Sequence, residues 1–221
     1  MVDILDEVED DIRHERMVKA ARRYGGLLLL AAFLVLVAVG GQELWQAHLN
    51  KVAQHNATQY LSLTQSVDQA GGSVSQAVAE DTAAKLVTFS NSASNTYRIL
   101  ARLRAAALYA SVNESAQAAS LWTQIANDAS APGPARDVAN LLWAQHELGT
   151  ANDSDILARL QAISQSANPY HGLARNLQAM VYLHEGNKPM AKSFFAQVED
   201  DPTVSSGTRS RAAAMLSELN G

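Results

Sequence analysis

The sequence predicts an all-α protein in which one N-terminal membrane-spanning helix precedes a stack of short paired helices. Three observations support this prediction. Residues 25–41 form an uninterrupted apolar run, and the rest of the chain is rich in Ala, Ser, Gln and Leu. No segment alternates between polar and apolar residues for long enough to indicate a strand, whereas apolar residues recur at helical spacing. Such a composition favours helices over strands.

The apolar run has the length and the flanking residues of a transmembrane helix. From Tyr24 to Trp45 a helix is about 33 Å long, which matches the hydrocarbon core of a bilayer. Tyr and Trp are the aromatic residues that membrane interfaces prefer. The alternative is a buried core helix, but such helices are normally amphipathic, and this run is apolar on every face. We therefore predict a membrane helix over residues 24–45.

The N-terminal tail, residues 1–23, gives this helix a direction. Six acidic residues come first, and five basic residues follow close to the apolar run, whereas residues 42–67 contain only Glu43 and Lys51 as charged residues. Basic flanks remain cytoplasmic, so we expect the N-terminus inside and residues 46–221 outside, in the periplasm of a bacterium. The expected interface residues are Arg22, Arg23, Tyr24 and Trp45. The tail is either a solvated lead-in or a docking helix.

A cleaved signal peptide is the competing interpretation of the N-terminus. Ala38-Val39-Gly40 has the small residues of a cleavage site. However, the apolar run is longer than the roughly 7–15 residues of a signal peptide, and the preceding region is long and acidic, so we expect an uncleaved anchor. The chain has no cysteine, which excludes a lipoprotein anchor, disulfides and thiolate metal sites. The net charge of −5, without a basic stripe outside the membrane flank, gives nucleic-acid binding no support.

Turn residues such as Gly71-Gly72, Pro132-Gly133-Pro134 and Gly149 divide the remaining chain into helices. Ser73 is a candidate N-cap, and Pro134 is well placed at a helix start. The predicted helices cover residues 46–69, 73–89, 97–112, 114–128, 135–148, 153–166, 169–186, 188–199 and 205–219.

Two pairs of these helices share an internal repeat. Four residues recur 73 positions later with identical spacing: Ala106, Tyr109, Ala118 and Trp122 correspond to Ala179, Tyr182, Ala191 and Phe195. A small residue lets the paired helices approach closely, and the aromatic fills the gap toward the next repeat. The spacing resembles that of the tetratricopeptide repeat, so we predict an α-solenoid. A degenerate unit lies between the two matches, another precedes them, and the last helix is expected to cap the open end.

The sequence contains no pattern that indicates catalysis. The six histidines include no pair four residues apart, and no HExxH, GxSxG, P-loop or GxGxxG motif occurs. Adjacent acids such as Asp200-Asp201 point in different directions on a helix and suit solvated or capping roles. We therefore predict no catalytic residue, no cofactor and no metal site.

A protein-binding surface is a better-supported expectation. In stacked helix pairs the first helices line the concave face. Polar or basic positions on those helices are the candidate groove residues, with ordinary solvated side chains as the alternative: Arg98, Arg102, Gln145, Arg175, Asn176 and Gln178. We expect Trp122 and Trp143 in the core.

The order of these features resembles the YfgM-like family of membrane-anchored tetratricopeptide proteins, which are ancillary subunits of the SecYEG translocon. The similar stretches are DILDEVEDDIRHERMVKAARRYGG, YRILARLRAAALYA, SAPGPARDVANLLWA and ANPYHGLARNLQAM. The resemblance implies a single-pass inner-membrane protein that associates with translocon subunits, periplasmic chaperones and exported proteins. It transfers packing positions and no catalytic residue. The alternatives are a scaffold for envelope assembly or division and, more remotely, an envelope hydrolase.

Overall fold

The computed structural model describes residues 42, 45–70 and 74–220, and all regular structure in this part is helical. The prediction of an all-α fold is therefore confirmed. Residues 45–69 are helical and are called α1. The following helices are α2 (Gln76–Ser90), α3 (Asn95–Ser111), α4 (Ser115–Ala126), α5 (Gly133–Glu147), α6 (Asp153–Gln161), α7 (His171–His184), α8 (Lys188–Glu199) and α9 (Ser206–Asn220).

The chain divides into two compact units, Met1–His55 and Asn56–Gly221. In the first unit, the described residues 42 and 45–55 are helical and exposed, including Trp45. No helix built from described residues has the length and apolarity needed to cross a bilayer. The tail 1–23 and the predicted span 24–45, apart from residues 42 and 45, lie outside the described residues. Arg22, Arg23 and Tyr24 lie there as well, and their interface role stays a prediction.

In the second unit, the helices are arranged as stacked pairs. Each helix from α2 to α9 packs on the next, and α3, α5, α7 and α9 also contact one another in series. By contrast, the backbones of α2, α4, α6 and α8 do not pack on one another, although the long Arg159 side chain reaches from α6 to within 3.4 Å of Thr123 Oγ1 in α4. The first helices of the pairs therefore form a continuous inner row, while the second helices separate on the outside. This is the arrangement of a solenoid whose inner row forms the concave face.

Alanine allows the inner helices to approach closely. Ala101, Ala139, Ala174 and Ala212 each have 0% of their surface exposed, one on each inner helix. They are 38, 35 and 38 residues apart. A side chain of one carbon leaves room for the backbone of the neighbouring helix. Thus α9 follows the same pattern as the other inner helices while it covers the end of the stack.

The turns inside the helix pairs share a left-handed residue. Asn113 (φ 64°), Gly149 (φ 83°) and Gly186 (φ 76°) follow α3, α5 and α7. Glycine adopts this conformation without a steric cost, and Asn tolerates it better than most residues. Because Asn113 precedes Gly186 by 73 residues, the turn obeys the same repeat as the helices.

Two helix boundaries differ from the sequence prediction by three residues or more, and the others differ by at most two. The second helix begins at Gln76, so the N-cap position belongs to Ser75 and not to Ser73. The sixth helix ends at Gln161, and residues 162–170 form turns instead of a further helical turn. In that segment the Ser164 hydroxyl donates to the Gln161 carbonyl, and Asn168 Oδ1 accepts from the backbone N–H of Tyr170. Such side-chain bonds to the backbone compete with helix continuation.

Candidate functional site

The inner face of the solenoid carries a groove between α5, α7 and α9. Its volume is about 770 Å³, which lies in the range of small-molecule and peptide-segment sites. Apolar side chains form most of its surface: Val138, Leu141, Leu142, Leu148, Leu173, Leu177, Met180, Ala214 and Met215. Leu173 is 42% exposed, so part of this apolar surface faces solvent. The polar lining residues are Gln145, Tyr170, Asn176 and Arg211.

The three helices contribute the same face to this groove. In α5 the lining positions are residues 138, 141, 142 and 145, and in α7 they are residues 173, 176, 177 and 180. In α9 they are residues 211, 214 and 215. Positions separated by three, four and seven residues lie on one side of a helix. The groove is thus a repeated surface built from equivalent positions, displaced by 35 residues from α5 to α7 and by 38 from α7 to α9.

A family comparison agrees with this repeated geometry. A sequence profile described as a tetratricopeptide repeat-like domain matches residues 21–215. The chain belongs to the tetratricopeptide repeat-like domain family. No curated protein and no solved structure gives a significant match. Domains of this family mediate protein–protein interactions, which supports protein partners for this tetratricopeptide repeat-like chain.

The predicted repeat positions lie at the contacts between its helices. Ala106, Ala118, Ala179 and Ala191 are fully buried, as is Phe195, and Trp122 is nearly so. Tyr109 and Tyr182 are half-buried, and the Tyr182 ring stacks on Phe194 with 5.3 Å between centroids. Trp143 is also largely buried, and the Arg159 guanidinium lies 3.8 Å from its ring centre.

Of the six predicted groove residues, two line the groove and four do not. Gln145 and Asn176 line the groove. Gln178 is buried and is not among the lining residues. Arg98, Arg102 and Arg175 contact other parts of the chain instead: Arg102 Nε lies 3.4 Å from the Ser90 hydroxyl, and Arg175 Nε donates to the Ser164 carbonyl at 3.0 Å.

Arg98 belongs to a first polar cluster, which consists of Asn95, Arg98, Asp128 and Ser130. One guanidinium nitrogen of Arg98 lies 2.6 Å from Asn95 Oδ1, 2.6 Å from Ser130 Oγ and 3.2 Å from Asp128 Oδ2. Hydrogen bonds from the side chain and backbone N–H of Ser130 lower the pKa of Asp128, with a smaller contribution from the Arg98 charge. The cluster ties the start of α3 to the segment after α4.

A second polar cluster, Asn168, His171, Asp201 and Thr203, repeats the first one 73 residues later. His171 is buried, with Nε2 at 3.0 Å from Asp201 Oδ2 and Nδ1 at 2.6 Å from the Asn168 carbonyl oxygen. The Thr203 hydroxyl and backbone N–H donate to Asp201 Oδ1 at 2.5 and 3.0 Å. These bonds, assisted by His171, lower the pKa of Asp201 to about 2. Arg175 also contacts Asp201, at 3.3 Å.

No three His, Asp or Glu side chains among the described residues form a group suited to a metal ion. Both ring nitrogens of His171 face partners inside the second polar cluster. The sequence prediction missed the apolar lining of the groove because it searched for polar side chains. The 35- and 38-residue spacing of Ala139, Ala174 and Ala212 is the signal that aligns the inner helices and identifies the lining positions.

Proposed function

We propose that this chain is a non-enzymatic, membrane-anchored adaptor whose groove binds segments of partner proteins. The observation that carries the proposal is the apolar groove between α5, α7 and α9, part of which is exposed to solvent. Burying apolar surface is the main favourable term in most protein association.

The anchor in this proposal is the apolar run of residues 25–41, with the N-terminus in the cytoplasm and residues 46–221 in the periplasm. The basic residues on one side of the run and the scarcity of charge on the other support this orientation. Anchoring raises the effective concentration of the groove near other membrane proteins, so modest affinities suffice. On the resemblance to the YfgM-like family, we propose that the partners are translocon subunits, periplasmic chaperones and exported proteins.

Site-specific photo-crosslinking in native membranes tests the partners. A photoreactive amino acid replaces Leu173 in the groove or, as a matched control, the exposed Ser193 on the outer helix α8. We expect mass spectrometry to find translocon subunits, chaperones or exported proteins joined to position 173 and not to position 193. Recovery of division or cell-wall proteins without translocon subunits supports the scaffold alternative and overturns the translocon proposal.

The topology has its own test, because the chain contains no cysteine. A single cysteine at Ser193 should react with a membrane-impermeant maleimide in cells with a permeabilised outer membrane. A cysteine at Val18 in the tail should react only after the inner membrane is broken. The reverse pattern contradicts the orientation. An intact mass that begins near Gly41 contradicts the uncleaved anchor.

A further inference from the structure

The groove contains one charged residue among its lining side chains, and that residue is Arg211. Several other arginines of the inner helices have acidic partners: Arg98 pairs with Asp128, Arg104 with Asp68, and Arg175 with Asp201. Arg211 differs from them. Within the described residues its one hydrogen bond goes to the Thr208 hydroxyl on the same helix, at 3.3 Å, and it has no ion pair.

Arg211 lies at a repeat position that is apolar in the other two helices of the groove. It occupies in α9 the position that Val138 occupies in α5 and Leu173 occupies in α7. The row of equivalent positions thus presents two apolar side chains and then a cation. A segment that crosses the three helices would place its apolar side chains on α5 and α7 and its polar end beside Arg211.

The dimensions of the row indicate the length of such a segment. Packed helices lie about 8–10 Å apart, so three consecutive inner helices span roughly 16–20 Å. An extended chain rises about 3.3 Å per residue, so five or six residues cross this distance. The group beside Arg211 is then about three residues from the side chain that contacts Leu173.

A carboxylate is the group that matches Arg211. The planar guanidinium offers paired N–H donors that fit the two oxygens of a carboxylate. Because Arg211 is exposed to solvent, such a pair adds modestly to affinity and acts mainly as a preference for acidic over neutral segments. A neutral apolar segment would leave this cation next to apolar surface without a partner.

We propose that the groove selects peptide segments in which apolar side chains precede an acidic residue, and that Arg211 binds the carboxylate. This inference rests on the protein-binding function proposed above and adds the chemistry of the partner. Arg211 is the specificity-determining residue, and the apolar side chains of α5 and α7 supply the sequence-tolerant part of the binding.

Fluorescence anisotropy with the full-length protein in zwitterionic phospholipid nanodiscs tests the proposal. The probes are two fluorescein-labelled, C-terminally amidated peptides, Leu-Leu-Ser-Leu-Leu-Ser-Asp and the same peptide ending in Asn, with empty nanodiscs as the blank. We expect the Asp peptide to bind about two- to fivefold more tightly, as one exposed ion pair provides. The preference should disappear in Arg211→Gln and be reduced but not lost in Arg211→Lys, which keeps the charge without the paired donors. It should remain at its wild-type size in Lys188→Gln, which removes an exposed charge outside the groove.

The outcomes separate this inference from the wider proposal. Equal affinities for the two peptides in the wild-type protein overturn the role of Arg211 and leave protein binding by the groove intact. If neither peptide binds but palmitate does, and Arg211→Gln weakens palmitate binding, the groove takes a lipid carboxylate and the peptide proposal is wrong. Binding of neither peptide nor palmitate also overturns it. The crosslinks from position 173 decide the adaptor function independently of these peptides.

Discussion

Phe194 and Phe195 are adjacent in α8 but differ in burial, and this difference predicts that truncating Phe195 destabilises the protein much more than truncating Phe194. Phe195 is 0% exposed and belongs to the apolar cluster between α7, α8 and α9. Removing a fully buried phenylalanine side chain costs about 3–5 kcal/mol, because the lost burial is added to the cost of the cavity. In a domain of this size, each kcal/mol lowers the melting temperature by about 2–4 °C. Phe195→Ala should therefore lower it by roughly 6–20 °C.

Phe194 is the matched control. It is half-buried and stacks on the Tyr182 ring, so Phe194→Ala loses part of one aromatic pair and leaves no closed cavity. Its expected cost is about 1–2 kcal/mol, or a few degrees. Both variants can be melted as full-length protein in detergent micelles, followed by circular dichroism at 222 nm. If Phe194→Ala lowers the melting temperature as much as Phe195→Ala does, the assignment of Phe195 to the repeat core is wrong.

Three further predictions concern the second polar cluster and the repeat contacts. A methyl group added at Gly172 would lie 2.5 Å from Val204 Cγ2. Gly172→Ala should therefore lower the free energy of unfolding in urea by about 1–2 kcal/mol, despite the better helix propensity of alanine. Adding Val204→Ala to this variant should restore part of the lost stability. Asp201 has its pKa lowered to about 2, against about 3.9 in an unfolded chain, so its stabilisation is complete above pH 4 and is lost as the pH falls through 2. Thr203→Val should therefore melt below the wild type at pH 6, and the two melting temperatures should converge toward pH 2; a gap that is constant with pH contradicts this cause. Asn113→Ala should lower the free energy of unfolding by about 1 kcal/mol because the Asn113 backbone is left-handed, whereas Asn113→Gly should leave it unchanged. Equal losses of stability in both variants would show that the Asn side chain matters more than the backbone.

Most of the fold could be predicted from the sequence because small and aromatic residues recur at the spacing of the repeat. The 73-residue displacement of Ala106 and Trp122 gave the pairing of helices, and α8 lies at the predicted residues, 188–199. The end of α6 was not predictable from periodicity, since Ile163 continues the apolar spacing while the Ser and Asn residues around it form turns. Local side-chain bonds to the backbone decide that boundary, and helical periodicity does not report them.

The candidate site was less accessible to sequence reasoning than the fold. Polar residues were expected in the groove, yet Arg98 and Arg175 form ion pairs with Asp128 and Asp201, which lie 30 and 26 residues further along the chain. No local sequence pattern predicts ion pairs between residues so far apart in the chain. The apolar lining could be found only after the inner helices were aligned on the buried alanines, because an exposed Leu173 has the same sequence signature as a core leucine.

The central claim is that the groove between α5, α7 and α9 binds partner proteins. Its most direct test compares Leu173→Glu, which places a charge in the groove, with Ser193→Glu on the outer face of α8. Both variants, at wild-type abundance and melting temperature, are treated with a chemical crosslinker in native membranes, and the attached proteins are quantified by mass spectrometry. We predict a several-fold loss of partners for Leu173→Glu and none for Ser193→Glu. Unchanged partners in both variants would contradict the claim.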